Sequence, residues 1–393
     1  MKVLQINTTY GLGSTGRIVS GIDNILQEKG IESYVGYGYG NLVDDHHYKI
    51  INQIDSYIHN ALSRLFDGQG LMSTMKTKRF VKWVDHVSPD VIHLHNLHGN
   101  FFNYEVLFDY LMKTNCKVIW TLHDCWTFTG HCAYFDMAGC EKWKTQCDHC
   151  PQTKCYPPSF LDRSKRNYNL KKRLFTGLGD RLVLIPVSNW LEGLLKESFF
   201  CNTRVQTIHN GINLSNFVPC PTGKGNKYVL GVAGVWDERK GMKDFIKLRG
   251  LLDKSVDIML VGLTKKQIQS LPDGIKGISR TNSLAELAQL YSDALVTVNP
   301  TYEDNYPTVN LESIACGTPV ITYRTGGSPE SVDERCGVVV NKGDIQSVKT
   351  VIDNIIKQEC HLYDSNTLRQ YAISHFDEAS CFLNYIDLYH YLL

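Results

Sequence analysis

The chain has 393 residues, which suggests two domains or slightly more. A hydrophobic fraction of 43% supports real cores, and a formal charge of +1 excludes the global basic field of a nucleic-acid binder. No window of about 18 apolar residues exists, so no membrane span is predicted.

The opening residues, Met1 to Asn7, turn polar too soon for a signal peptide. They read as a first strand, Val3 to Asn7, and the expected compartment is the cytoplasm. Gly11, Gly13 and Gly16 follow, then a helix with Ile18, Ile22, Ile25 and Leu26 on one face. Gly30 closes it, and a strand runs from Ser33 to Tyr37. The spacing is G-x-G-x-x-G, which can mark a dinucleotide loop. That reading needs an acid ending the second strand, where Tyr37-Gly38-Tyr39-Gly40 stands instead. A tight turn required only for packing accounts for the glycines equally well.

Ile54 to Leu65 has a helical period, and a second helix carries Phe80, Val81 and Val84. Strand Val91 to Asn96 bears His95 and Asn96 at its carboxyl end. Helix Tyr104 to Lys113 leads to strand Lys117 to Leu122, which ends in His123-Asp124. A lone histidine is usually a satisfied core or surface residue. Several at the strand ends of one open sheet point to a site.

Thirteen cysteines are many for a cytosolic chain, and seven fall between Cys116 and Cys155. A loop-rich insertion holds Cys132-x7-Cys140-x6-Cys147-x2-Cys150. Its C-x-x-C end suits tetrahedral thiolate ligation, so these four are candidate ligands of a structural zinc. The alternative is buried free thiols that hold a loop. A reducing compartment disfavours disulfides. The basic run Arg163 to Phe175 reads as a helix with Leu170, Leu174 and Phe175 apolar. Such a helix can lie on anionic lipid, or it can be a solvated face.

Strand Leu182 to Val187, a helix Trp190 to Glu197 capped by Ser188, and strand Val205 to His209 complete the first half. The polar segment Pro219 to Gly225 marks the boundary. The second half continues with strand Tyr228 to Val232, loop Trp236 to Gly241, helix Lys243 to Leu252 and strand Asp257 to Val261. Helix Leu284 to Tyr291 and strand Leu295 to Val298 follow. After them comes Tyr302-Glu303-Asp304-Asn305-Tyr306-Pro307-Thr308, opening a short helix through Glu312 that Gly317 and Pro319 close. Asp304 lies in the loop, and Glu312 about one turn inside the helix leans back toward it. Both carboxylates can then face one crevice at a strand's carboxyl end. Strand Val320 to Tyr323 and helices Ile345 to Ile356, Leu368 to His375 and Ala379 to Tyr391 end the chain. The alternation predicts an α/β protein with two parallel sheets and a cleft between their strand ends.

These residues resemble the retaining glycosyltransferases of family four, with the GT-B fold. Asp304-x7-Glu312 resembles the family's E-x7-E motif, with Asp in place of the first Glu. Supporting matches are Gly11 to Arg17, His93-Leu94-His95-Asn96, His123-Asp124, Val187-Ser188-Asn189, Asn210-Gly211-Ile212 and Arg239-Lys240-Gly241. The cysteine-rich segment, about 125–155, with His123-Asp124-Cys125-Trp126 is similar to a bacterial subgroup of capsule, exopolysaccharide and lipopolysaccharide assembly.

The resemblance implies a Rossmann-like acceptor-side domain over 1–215 and a nucleotide-sugar domain over 216–376. A terminal helix, 377–393, would return to the first domain. Glu312 would hold the ribose. Asp304, with the amides of Asn305 and Tyr306, would hold the donor sugar. Lys240 would neutralise the departing diphosphate. Arg239 would stand in for the family's arginine five residues before that lysine, a position held here by Val235. His95 would sit beside the transferred carbon. Gly11, Gly13, Gly16, His123, Asn210, Pro307 and Thr308 complete the implied donor set. No cofactor and no active-site metal would be required. The donor would be a UDP- or GDP-linked sugar, and the acceptor a glycan or undecaprenyl-linked oligosaccharide. The enzyme would sit peripherally on the inner face of the cytoplasmic membrane, with 163–175 as the candidate contact. Two further readings are an NAD(P)-dependent oxidoreductase resting on the glycines, and a non-catalytic sugar-nucleotide-binding or scaffold protein.

Overall fold

The computed structural model describes residues 1–220, 222 and 228–393. Of the boundary segment Pro219 to Gly225, residues 221 and 223–225 lie outside the described residues. The chain forms two units, Met1–His209 with Phe382–Leu393, and Asn210–Cys381.

The first unit runs β1 (Lys2–Thr9), α1 (Gly13–Glu28), β2 (Glu32–Tyr39), β3 (His47–Lys49), α2 (Gln53–Phe66), α3 (Thr74–Val87), β4 (Val91–Leu94), α4 (Tyr104–Leu111), β5 (Lys117–Leu122), α5 (Ser164–Thr176), β6 (Leu182–Pro186), α6 (Asn189–Glu197) and β7 (Arg204–Val205). Its seven strands are all parallel, in the order β3-β2-β1-β4-β5-β6-β7. The central strands are covered on both faces, so Val3, Leu4, Val91, Ile92, Val118 and Ile119 are all fully buried. That is why they read as unbroken apolar runs rather than alternating ones.

The second unit runs β8 (Tyr228–Val232), α7 (Met242–Leu251), β9 (Asp257–Val261), α8 (Lys265–Gln269), β10 (Ile275–Ile278), α9 (Leu284–Asp293), β11 (Val296–Asn299), α10 (Thr308–Ala315), β12 (Val320–Tyr323), β13 (Gly337–Val340), α11 (Ile345–Ile356) and α12 (Ser365–His375). The sheet is parallel, in the order β10-β9-β8-β11-β12-β13. In both sheets the strand order reverses beside the first strand, between β1 and β4 and between β8 and β11. Ligands of open α/β sheets bind outside the carboxyl ends at such points.

The last helix, α13 (Glu378–Leu392), passes into the first unit from Phe382 onward. Tyr385 and Tyr389 are buried there against the sheet. Tyr389 Oη lies 2.6 Å from His93 Nδ1, and Thr121 Oγ1 donates to Tyr385 Oη at 3.2 Å. Gly21 of α1 leaves room for Phe382, whose ring would lie 2.5 Å from any Cβ at that position.

The structure departs from the sequence reading at several elements. The edge strand predicted over Val205 to His209 is only Arg204–Val205. β4 stops at Leu94, which places His95 and Asn96 in the following loop. Pro307 is the N-cap of α10 rather than its first helical residue. The basic run does form a helix, α5, but its apolar face is already used. Tyr168, Leu174 and Phe175 lie in the first unit's core, with Lys171 among them at 1% exposure. Lys171 Nζ donates to the carbonyls of Trp126 (2.6 Å) and Thr129 (3.1 Å) and sits 3.3 Å above the Trp126 ring. Burial pushes its amine down to about 7. The expected lipid contact through 163–175 therefore has no apolar face left to insert.

Candidate active site

In the first unit the glycine loop leaves β1 and a histidine cluster leaves β4 and β5. Gly11 and Gly13 both have φ near +70°, a region that only glycine enters freely, and open space lies where their Cβ atoms would be. The Gly11 amide closes the loop onto the Gly16 carbonyl at 2.9 Å. A Cβ at Gly16 would lie 2.7 Å from Thr9 Oγ1, so that glycine answers to packing. The helix N-cap is Leu12, which has no side-chain cap, whereas Asn52, Asn103 and Ser188 cap α2, α4 and α6.

The histidine tautomers follow from their partners. Gln5 gives its amide nitrogen to the Val19 carbonyl (3.1 Å), so its oxygen faces His95 Nε2 at 3.2 Å. His95 Nε2 therefore carries the proton, and Nδ1 accepts from His123 Nε2 at 3.3 Å. His95 is 1% exposed, and as it stands it orients His123. The sequence reading put His95 itself beside the sugar; the ring nearer the surface is that of His123. Thr121, donating to Tyr385, must accept from His93 Nε2 (2.8 Å), and Tyr389 then donates to His93 Nδ1. Burial holds His93 and His123 near 3 and 4 and lowers His95 as well, so all three are neutral. One pair was not foreseen. His98 Nε2 lies 2.7 Å from Asp124 Oδ2, with the ring tilted against Trp126. It closes one wall of a small recess that His95 and His123 also line.

This cluster sets a pH dependence. The folded value of His93, about 3, lies below its ordinary 6.5. Between those values the unfolded chain takes up a proton that the folded chain does not, so stability falls as pH falls below 6.5. One such group contributes up to about 1.4 kcal/mol per pH unit. His93→Gln is expected to lower the melting temperature at pH 7 yet to flatten its decline toward pH 5. An unchanged slope in melting curves would refute this.

In the second unit Arg239 and Lys240 follow β8, and Glu303 and Asp304 follow β11. The two loops are tied together. Arg239 Nη1 donates to the Glu303 carbonyl (3.0 Å), and the Tyr302 amide to the Arg239 carbonyl (2.7 Å). Lys240 Nζ pairs with Asp304 Oδ2, the two side chains being 19% and 13% exposed. Gly241 and Gly326 permit this closeness. A Cβ on them would lie 2.2 Å from the Pro300 carbonyl oxygen and 1.8 Å from that of Asp304. Beneath, Asp244 accepts from the hydroxyls of Tyr302 (2.7 Å) and Tyr323 (2.8 Å). Asn305 is buried, its amide on Asp304 Oδ1 at 3.0 Å, and Tyr306 is buried beside it. Thr308 opens α10, whose N-cap Pro307 supplies no side-chain cap. Glu312 is 6% exposed and accepts from Tyr291 Oη at 3.0 Å. Asn210, at the start of this unit, is buried, and Val235 is exposed in the loop before Lys240.

The cysteine insertion brings its sulfurs close. Cys132 and Cys147 are buried and Cys140 and Cys150 partly so. Cys147 Sγ accepts the Gly130 amide at 3.2 Å. A hydrogen bond from the Cys132 thiol draws Cys150 down to about 7 and pushes Cys132 up. Among the described residues no three His, Cys, Asp or Glu side chains stand as a metal-ligand group. No helix among the described residues is long and apolar enough to cross a membrane.

A family model for glycosyltransferase family 4 matches residues 26–216, and one for group 1 glycosyl transferases matches 226–358. The chain is 25% identical over 370 residues to the putative colanic acid biosynthesis glycosyl transferase WcaC of Escherichia coli K12, covering 88% of each. Among solved structures it is similar to sucrose-phosphate synthase of Thermosynechococcus elongatus, with a TM-score of 0.73 and 17% identity over 100% of this chain and 98% of that one. Anabaena HepE in complex with UDP-glucose matches with a TM-score of 0.65 and 16% identity over 99% of each. The two parallel sheets and the two family models, which between them span most of the sequence, lead to one conclusion: the chain belongs to the family-four glycosyltransferases of GT-B fold.

Proposed function

We propose that the protein moves a sugar, with retention, from a nucleoside-diphosphate sugar to a glycan acceptor in surface polysaccharide assembly. The observation that carries this is the Lys240–Asp304 pair at the β8/β11 switch point, with the buried carboxylate of Glu312 on the adjoining helix. WcaC, by its name a colanic acid enzyme, supports the polysaccharide setting, and the UDP-glucose held by HepE supports the donor class.

Cleaving the sugar–diphosphate bond builds negative charge on the leaving oxygens. Lys240, with Arg239 beside it, would take up that charge, and the uncapped first turn of α10 would add amides of the right polarity. The incoming diphosphate would draw Lys240 away from Asp304. The released carboxylate would then accept hydrogen bonds from the hydroxyls of the donor sugar. Glu312 would grip the ribose. Both acids thus serve binding, and the leaving phosphate takes the acceptor's proton. A lipid-linked oligosaccharide is the acceptor class we favour.

The test is a donor screen. UDP- and GDP-sugars are supplied singly with lipid-linked and free oligosaccharide acceptors, nucleotide release is followed, and the product's anomeric configuration is read by NMR. Release with a retained anomer is expected for one donor class. No turnover with any donor, or an inverted product, would overturn the reading.

A further inference from the structure

The edge strand β3 begins with a histidine set between two acids. His47 Nε2 lies 3.1 Å from Asp23 Oδ2 of α1, and its Nδ1 lies 2.7 Å from Asp44 Oδ1 in the loop before β3. An ionised carboxylate only accepts, so each ring nitrogen must carry a proton, and His47 stands as an imidazolium. Burial acts to raise both acids, but hydrogen bonds led by those of His47 outweigh it and hold both below their ordinary value. Burial likewise acts to lower His47, and its bonds to the two acids outweigh that, so the ring stays above its ordinary 6.5.

The network reaches the glycine loop. Tyr10, the residue before Gly11, donates to the same Asp23 Oδ2 at 2.7 Å, and its ring centroid lies 5.0 Å from that of His47. Asp23 belongs to α1, the helix that leaves the loop at Gly13, so this bond ties the strand side of the loop to the helix side. On its other side His47 holds residues 41–46. Asp44 also accepts the His46 amide at 2.8 Å, Tyr37 donates to the Leu42 carbonyl, and Lys49 Nζ donates to that of Gly40 at 3.0 Å. The segment starts against the glycine loop: a Cβ at Gly40 would lie 3.2 Å from the Tyr10 carbonyl oxygen.

The two holds on His47 are unequal. The Asp23 side chain is fully buried, whereas that of Asp44 is 46% exposed. Water can replace a lost partner for Asp44 but not for Asp23, where an unpaired charge is costly. A ring with one proton left therefore keeps it on Nε2 for Asp23 and lets Asp44 go. The other groups facing the ring do not titrate with it. Burial and Asp23 push the Tyr10 hydroxyl up, burial raises Tyr37 as well, and His46 turns its Nδ1 to the Ser33 carbonyl at 3.0 Å. Because the folded ring holds its proton more tightly than the unfolded one, the outer hold is whole below about 6.5 and is lost as pH rises through the folded value.

We propose that His47 is a proton-dependent latch. As an imidazolium it clamps residues 41–46 beside the glycine loop; on losing a proton it frees them and opens the approach to Gly11 and Gly13. The glycine loop itself stays tied through Tyr10 and Asp23. The latch does not depend on the donor chemistry, so a failed donor screen leaves it standing.

Hydrogen exchange of the full chain, followed by mass spectrometry, compares the wild type with His47→Gln, whose neutral amide imitates the open state. At pH 6 residues 41–46 should exchange about tenfold or more slowly in the wild type, since each pH unit below the folded value strengthens the latch by up to tenfold. At pH 9 the two should match. A second measurement follows the His47 ring by NMR in histidine-labelled protein. Its titration midpoint should lie above 6.5 in the wild type and fall in Asp44→Asn, which removes the outer charge and leaves Asp23 in place. Should His47→Gln fold poorly by circular dichroism, the two midpoints decide alone. The proposal is overturned by a wild-type midpoint at or below 6.5, by a midpoint that Asp44→Asn leaves unmoved, or by an exchange ratio that is the same at pH 6 and pH 9.

Discussion

Lys240→Ala is expected to lower turnover by about 10²–10³-fold, the cost of removing one charge-stabilising donor at a leaving group, roughly 3 kcal/mol in the barrier. Stability should change little. The Lys240–Asp304 pair still reaches solvent, and an ion pair in that setting contributes about 1 kcal/mol or less. Nucleotide release at saturating donor and a thermal melt, on the same preparation, check both halves. Lost turnover with an unchanged melt assigns Lys240 to the reaction. Equal loss of both would mean that Lys240 merely ties the two loops together. Asp304→Asn separates the partners further: it keeps the side-chain volume but frees Lys240 and weakens the grip on the sugar, so KM should rise.

The largest stability effect is expected at Tyr389. Its side chain is fully buried, and the hydroxyl donates to His93. Tyr389→Ala should cost about 3–5 kcal/mol, since truncating a large buried aromatic leaves a cavity. For a unit of this size that lowers the melting temperature by roughly 6–20 °C, at about 2–4 °C per kcal/mol. Tyr389→Phe keeps the ring and strips only the hydroxyl. His93 Nδ1 then loses its donor, at about 1–3 kcal/mol. A melting shift of less than about 2 °C for Tyr389→Ala would contradict the placement of the last helix.

Strand positions in the sheet interiors were legible because burial on two faces writes an unbroken apolar run. Lys117 to Leu122, Tyr228 to Val232, Asp257 to Val261 and Val320 to Tyr323 have the bounds read from the sequence. Edge strands gave no such signal. His47-Tyr48-Lys49 has no apolar run, and in β10 Lys276 and Gly277 interrupt one. Helical period was equally legible in α2 and α5, but period tells which residues share a face, not which face turns inward. In α2 the apolar stripe faces out, and in α5 a lysine inside a charge run faces in. Only the partners, the Tyr39 hydroxyl for Ser56, Ser73 for His59 and the Trp126 carbonyl for Lys171, decide that, and they come from distant elements. The site shows the same limit. Arg239, Lys240 and Asp304 stand where their positions after β8 and β11 put them. That Asp304 and Lys240 hold each other, and that His98 pairs with Asp124, depends on distances no spacing rule carries.

The order in which the chain visits its two units has a consequence for synthesis. Residues 382–393 complete the first unit's core, yet they are made after the whole of the second unit. While the ribosome is still translating, the first sheet must wait with His93, Thr121 and the groove at Gly21 uncovered. The second unit, Asn210–Cys381, is complete before that wait ends. Domains usually mature in the order of their synthesis. Here the unit begun first is finished after the second, and a chain stalled or clipped just before Phe382 would carry one finished unit and one still open.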